Sequence, residues 1–403
     1  MTISRGRCVT AAPFLEYFPS IPYTETIMNI QTDTTTEEKL RKELAGRTDT
    51  EALRMNRYLS MPDLSRTPGS PLHEIIERVK KVPSLQGLDE IQIPEIVPAD
   101  ISFDLFDFPK DHPARSTSDT YYADENNILR THTTISWYYY HNHPEIKARA
   151  AKGETLGAIA YGKVYRKDEI DRRHMNTFHQ VDGWKVIPDS EGTLPVEELK
   201  RVLSEIVESI FGTDIEYRFN EDTFPYTDPS LEVEVNINGE WVEILGSGMI
   251  KKSVLKNMGL EGYNGWAFGF GLERLAIISM QLPDIRLLWS DDERVKKQLV
   301  LGTHFVEVSK YPPVTRDISF IVSKDFVPND YFELVRETAK ELVEEVELLD
   351  TYENEEKFGK DKISYAYRVT YRSLDRTLTS EEVDALHKKL EEVTKNTYSA
   401  TIR

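Results

Sequence analysis

Cysteine is nearly absent. Cys8 is the only one in 403 residues, which excludes an internal disulfide and a cysteine-rich zinc site and suits a reducing compartment. Long apolar runs are missing as well: none approaches the ~20 residues of a membrane-spanning helix. Basic charge is in deficit, with 50 Lys and Arg against 69 Asp and Glu, a net charge of −19. Any nucleic-acid contact therefore has to come from a local basic patch on an acidic body, with a grip that weakens as salt rises. There is no internal repeat, no low-complexity tract and no Ser-His-Asp or Cys-His signature of covalent catalysis. Acids are absent before Glu16, while Arg5 and Arg7 are present. Organellar presequences and disordered N-termini share that composition.

Residues 1–70 are polar and broken by Pro13, Pro19, Pro22, Pro62 and Pro68. Asp33 or a following threonine caps an expected helix through Leu40 and Leu44. From Pro71, Leu72, Ile75, Ile76 and Val79 have the spacing of an amphipathic helix, and Leu199, Val202, Leu203, Ile206 and Ile210 mark another. Leu231, Val233, Val235 and Ile237 alternate with Glu232, Glu234 and Asn236, as a strand with one buried face does. Asn238-Gly239 then signals a two-residue hairpin, and Val242 and Ile244 continue the alternation in the return strand. The last hundred residues read as a separate unit. Strands over Ile318–Val322 and Ile363–Tyr371 and a short one over Tyr398–Ile402 are interleaved with helices that start at capping boxes, Asp330 with Glu333 and Thr379 with Glu382. That order is ferredoxin-like.

Three elements carry chemistry. Counting back from the hairpin turn sets Glu234 opposite Glu243, a like-charge pair that is destabilising unless a cation intervenes or the face is simply solvated. Gly265-Trp266-Ala267-Phe268-Gly269-Phe270-Gly271-Leu272-Glu273-Arg274 runs from a strand into a helix. Its glycines admit a close ligand, or tight helix–sheet packing, and Arg274 offers a permanently charged fork. Tyr165-Arg166-Lys167-Asp168-Glu169-Ile170-Asp171, followed by Phe178-His179-Gln180, offers an arginine able to hold a phosphate and an aromatic able to stack on a base, or else a solvated charge and a core ring. His141 and His143 lack a third ligand at a sensible spacing, and His-Asn-His-Pro suits a turn.

Together these elements resemble motifs 2 and 3 of the class II aminoacyl-tRNA synthetases, with an acidic strand between them. The details resemble the phenylalanyl-tRNA synthetases. Phe103-Asp104 to Pro109 with Asp111-His112-Pro113-Ala114-Arg115 is similar to their motif 1 segment, and Leu129-Arg130-Thr131-His132-Thr133-Thr134 to their substrate loop. Phe224-Pro225-Tyr226-Thr227-Asp228-Pro229-Ser230 is similar to their aromatic pocket wall, and the stretch from Lys310-Tyr311-Pro312-Pro313 onward to their anticodon-binding domain. The resemblance spans residues 71–403.

It implies an α+β fold: an antiparallel sheet flanked by helices, plus a C-terminal ferredoxin-like domain. The implied division is an N-terminal extension over 1–70, in part a presequence, a catalytic domain over 71–290, a linker over 291–310 and an anticodon-binding domain over 311–403. The implied reaction activates phenylalanine with ATP and Mg²⁺ and transfers it to tRNA(Phe). Carrying both modules in one chain points to the monomeric mitochondrial type, working in the matrix, without a membrane anchor or an editing module. By the same resemblance Arg166 binds the α-phosphate, Phe178 stacks on adenine, Arg274 holds the outer phosphates and Glu243 acts through Mg²⁺. Thr133, Thr134, Ile135, Ser136, Arg173, His174, Met175, Gln180 and Gly269 surround the substrates. Phe224, Tyr226 and Phe268 enclose the amino-acid ring, with Ala267 at its floor. Lys310, Arg316, Arg368 and Arg372 are the candidate tRNA contacts. The chain departs from the family where Ser136 replaces a histidine and Tyr226 a phenylalanine, and the segment after Gly183 is shorter than in animal mitochondrial members.

Overall fold

The computed structural model describes residues 27–167 and 172–403, with the backbone alone at 329, 330, 333, 336 and 341. The presequence-like stretch, residues Asp168 to Asp171 of the motif 2 segment, and the side chains of the expected Asp330–Glu333 capping box lie outside the described residues. The chain divides into two compact units, one ending at Phe305 and the other beginning at Val306.

Among the described residues the first unit holds ten strands: β1 (Asn29–Gln31), β2 (Asp89–Gln92), β3 (Ile96–Pro98), β4 (Asn127–Leu129), β5 (Leu156–Tyr165), β6 (Thr177–Pro188), β7 (Tyr217–Asp222), β8 (Thr227–Ile237), β9 (Glu240–Ile250) and β10 (Tyr263–Gly271). Eight of them form one sheet in the order β1-β2-β5-β6-β10-β9-β8-β7, and β3 pairs with β4 apart from it. The sheet is antiparallel from β5 to β7, while β1, β2 and β5 run parallel. The hairpin forms as counted. Asn238 and Gly239 take φ values of 54° and 92°, Ile237 faces Glu240 and Glu234 faces Glu243. A bulge beyond Val233 then breaks the alternation, so that Ile244 and Leu245 are both buried.

Helix Val196–Phe211 buries its five predicted aliphatic residues together with Val207, and its Glu198 accepts a hydrogen bond from Trp266 Nε1 at 3.0 Å. Helix Pro71–Val79 starts at Ser70, whose hydroxyl caps Leu72 N–H. Asp33 accepts from the backbone and hydroxyl of Thr35 at 2.9 and 2.6 Å, ahead of helix Thr35–Ala45. This helix and Thr50–Ser60 pack Leu40, Leu44, Met55 and Leu59 against Ile96, Tyr121, Leu129 and Tyr165. From Asn29 onward, the stretch grouped above with the N-terminal extension is thus built into the first unit.

The second unit has β11 (Val314–Ser323), β12 (Val343–Tyr352), β13 (Lys362–Tyr371) and β14 (Thr401–Ile402) in the antiparallel order β12-β13-β11-β14. Helices Pro328–Ala339 and Ser380–Tyr398 close its core around Phe320, Tyr331, Tyr367 and Leu390. The Thr379–Glu382 capping box is present. The expected last strand is shorter than Tyr398–Ile402, because the helix runs through Tyr398 and ends at left-handed Ser399.

Candidate active site

Residues paired directly across an antiparallel sheet share a face. One such row runs Glu232, Gly246, Gly269, Asp182, Ala160 across β8, β9, β10, β6 and β5. The next runs Ser230, Gly248, Ala267, Trp184, Ala158. Glycines in the middle strands leave a trough between the two carboxylates, three strand spacings or roughly 14 Å across at the backbone. Aromatic rings line one side of it. Phe224 and Tyr226 stack at 5.8 Å with planes 8° apart, and Phe106 meets Tyr226 edge-on at 6.2 Å. A Cβ on Gly246 would sit 2.8 Å from the Phe224 ring, so glycine is what lets that ring lie on the sheet. Burial pushes the Tyr226 hydroxyl up to about 12, with Asp182 adding to the shift.

Phe268 does not join this wall. It pairs with Gly183, one step out of phase with Ala267 and Gly269, so its ring points to the opposite face. There it covers Gly183 and stacks between Trp266 and Phe270 at 6.2 and 6.0 Å. Its ring is thus buried on the sheet face away from Phe224 and Tyr226. The Ile135 side chain is buried in the core with Ile128 and Trp137.

The centre of the trough is Asp182, which the sequence reading missed. It is 5% exposed and accepts hydrogen bonds from Thr133 Oγ1 and, at 2.9 Å, Thr134 Oγ1. Burial raises its pKa to about 6 against the pull of those hydroxyls and of Arg166. The available signal was alternation: Phe178, Gln180 and Asp182 are two apart on β6 and share its face. Among the described residues, Ser136 Oγ and Gln180 Oε1 are buried without a hydrogen-bond partner. His132 approaches the carbonyl of Ser102 through Nε2 at 3.3 Å, its Nδ1 has no partner among the described residues, and burial lowers its pKa to about 4.

Arg166 follows β5. Its Nε donates to Thr131 O at 2.9 Å, and its guanidinium lies 5.2 Å from the Phe178 ring centroid. Arg173 and His174 are exposed and Met175 is half-buried, between β5 and β6. Arg274, at the start of helix Leu272–Met280, sits 3.5 Å from the Glu243 carboxylate, both half-exposed, and also donates to Glu243 O at 3.2 Å. Glu234 is held instead by Arg218 and Asn220, each at 2.6 Å. The two facing glutamates therefore each have their own arginine, which resolves the like-charge conflict. Among the described residues no group of three His, Cys, Asp or Glu could cage a metal. His141 and His143 lie at the junction of helices Ser136–Asn142 and Pro144–Ala151.

In the second unit, three of the four candidate tRNA contacts are already in ion pairs. Arg316 meets Asp384 at 2.7 Å, Arg368 grips Asp317 with two bonds of 2.8 and 2.9 Å, and Arg372 meets Glu344 at 2.8 Å. Lys310 lies over the Tyr311 ring at 5.6 Å.

Residues 54–299 match the family described as tRNA synthetases class II core domain (F), and residues 309–403 match the ferredoxin-fold anticodon binding domain. The chain is similar to the chloroplastic/mitochondrial phenylalanine–tRNA ligase of Arabidopsis thaliana, 39% identical over 319 residues, which covers 76% of this chain and 71% of the relative. It is also similar to the mitochondrial phenylalanine–tRNA ligases of Mus musculus, 35% identical over 370 residues (80% and 79% covered), and Saccharomyces cerevisiae, 32% identical over 403 residues (79% and 84% covered).

Proposed function

The chain belongs to the class II aminoacyl-tRNA synthetases of the phenylalanine–tRNA ligase family, and from that premise we propose how its residues divide the work. It joins phenylalanine to tRNA(Phe) with ATP. The substrate carboxylate attacks the α-phosphorus and diphosphate leaves. A terminal ribose hydroxyl of tRNA then attacks the activated carbonyl and AMP leaves. Neither step uses a side-chain nucleophile, so the protein's contribution is positioning and charge neutralisation.

The observation that carries this division is the trough: a buried carboxylate at Asp182 beside an aromatic clamp at Phe224 and Tyr226. Asp182 takes the substrate ammonium, which supplies the counter-charge that a buried acid requires. The phenyl ring lies against Phe224, Tyr226 and Ala267. Ser136 Oγ and Gln180 Oε1 serve the amino acid's polar end where the family histidine is missing, with Thr133 and Thr134 fixing Asp182. Arg166 and Phe178 stand together, as the α-phosphate and base of one nucleotide require, and Arg274 holds the outer phosphates. Exposed Arg173 and His174, with Met175, border the nucleotide. Mg²⁺ fits Glu243, because Mg²⁺ typically takes one or two carboxylates and fills its shell from phosphate and water. When bound it neutralises phosphate charge.

The unit ending at Phe305 is assigned the adenylation step. The unit from Val306 is assigned anticodon binding, with Lys310, Arg316, Arg368 and Arg372 facing RNA. The enzyme acts as a monomer in the matrix of the mitochondrion, the organelle that the names of its relatives carry. Phenylalanine-dependent ATP–pyrophosphate exchange, followed by charging of tRNA(Phe), tests the reading. Exchange driven by another amino acid and not by phenylalanine would reassign the substrate. RNA binding without exchange would make the protein a non-catalytic relative.

A further inference from the structure

We propose that His179 and Glu273 form a positioning clamp that holds the nucleotide-facing edge of β6 in register with Arg274, and that the segment Leu59–Leu64 anchors it. The inference rests on the adenylation reading above. β10 ends its pairing at Gly271, opposite Gln180, so the next residue of β6, His179, has no strand partner on that side. The Glu273 carboxylate takes the strand's place. Both its oxygens accept the His179 backbone N–H at 2.9 Å, and Oε1 also accepts from the ring Nδ1 at 2.6 Å. The other ring nitrogen, Nε2, accepts the Leu64 backbone N–H at 2.9 Å.

That pattern fixes the tautomer: Nδ1 carries the proton and Nε2 the lone pair. Lys163, which pairs with His179 across β5 and β6, holds the same segment by donating to Leu59 O and Met61 O at 3.1 and 2.7 Å. The Trp289 ring stacks on the imidazole at 5.9 Å. His179 is 0% and Glu273 3% exposed, so neither can touch substrate. Each is a chain neighbour of residues that do. Phe178 and Gln180 flank His179, and Arg274 follows Glu273. A shift of the clamp would move the base-stacking and outer-phosphate groups relative to each other, while Phe224 and Tyr226 stand apart from it in the connection between β7 and β8.

Glu273→Gln keeps the shape and presents an N–H₂ where an acceptor is needed. Per active site, counted by the adenylate burst, the variant should show at least a tenfold higher KM for ATP and a lower kcat, with a clearly smaller rise in KM for phenylalanine, because Gln180 moves while Asp182, Phe224 and Tyr226 keep their places. Glu273→Asp, which keeps the charge, should fall between the two, and it serves if the glutamine variant does not fold. A merely structural role would lower the yield of folded enzyme and leave both constants unchanged per site, and that result overturns the clamp. Amide hydrogen exchange gives a readout without activity. His179 and residues 272–274 should exchange faster in the variant, while Phe224–Thr227 should not. Unaltered protection at His179 also overturns the proposal. If wild type shows no phenylalanine-dependent exchange, the adenylation reading fails, and the protection data still decide whether the clamp exists.

Discussion

Asp182 is charged in the trough at neutral pH at a cost to the free protein. Its folded pKa of about 6 lies above the ordinary 3.8, so the folded state holds a proton that the unfolded state has lost between those values. The penalty is absent below about 4, grows as pH rises and is complete above about 6, where it is on the order of 3 kcal/mol. Asp182→Asn should therefore leave thermal stability unchanged or raise it. The same change removes the partner of a buried ammonium, a loss of roughly 3–5 kcal/mol, so kcat/KM for phenylalanine should fall by about 10² or more. In wild type kcat/KM for phenylalanine should decline as pH falls through about 6, a limb the variant should lack. Pyrophosphate exchange across the pH range measures both, and a KM for phenylalanine within threefold in the variant would remove Asp182 from the site. Ala267 belongs to the same face. Its change to Gly should enlarge the floor and raise acceptance of para-substituted phenylalanines. An unchanged ratio of kcat/KM values between para-chlorophenylalanine and phenylalanine would place the floor elsewhere.

β10 shows where sequence patterns run out at the level of the element. The β8–β9 hairpin was legible because Glu232, Glu234 and Asn236 mark one face as wetter and Asn238-Gly239 fixes the register. In β10 the seven residues Tyr263 to Gly269 are, but for the last, all buried, so alternation gives no polar and apolar side. The phase that separates Ala267 from Phe268 appears only once Asp182 and Trp184 are set opposite their partners. Nothing local singled out Asp182 either, and the Leu64–His179 link, spanning 115 positions, left no mark in the sequence. The motif arginines, the aromatic wall and the fold class were legible because glycine spacing, strand alternation and the family resemblance converge on them. Two glycines on opposite faces test the phase. Gly183→Ala drives a methyl into the Phe268 ring and should destabilise the protein by about 1–3 kcal/mol, with KM for phenylalanine per active site unchanged. Gly246→Ala pushes on Phe224 and should raise that KM several-fold with a smaller loss of stability. Denaturant unfolding and exchange kinetics on both variants would give the reverse pattern if Phe268 lined the pocket.

At the scale of the whole molecule, a net charge of −19 means tRNA has to be held against the average field. The second unit has its own core, so deleting residues 306–403 should spare phenylalanine-dependent exchange while charging of tRNA falls by more than tenfold. Charging within threefold of wild type would remove that unit from tRNA recognition. The arginines proposed for RNA are not idle in the free protein, which sharpens the expectation. Arg368 is tied to Asp317 by two hydrogen bonds, with both side chains about half-exposed. An exposed pair of this kind is weakened by solvent screening, so a phosphate can displace the carboxylate, but the RNA then also meets the freed aspartate. Asp317→Asn removes both the competitor and the repulsion. It should tighten tRNA binding by a few-fold at ~0.1 M salt, and the gain should shrink at high salt as screening flattens the difference. Arg368→Ala should weaken binding and make the salt dependence shallower by roughly one contact. Titrating tRNA(Phe) into wild type and both variants at several salt concentrations reads all three. If Asp317→Asn binds no more tightly than wild type at low salt while Arg368→Ala is also unchanged, RNA does not reach this part of the sheet, and Lys310 and Arg316 become the contacts to follow.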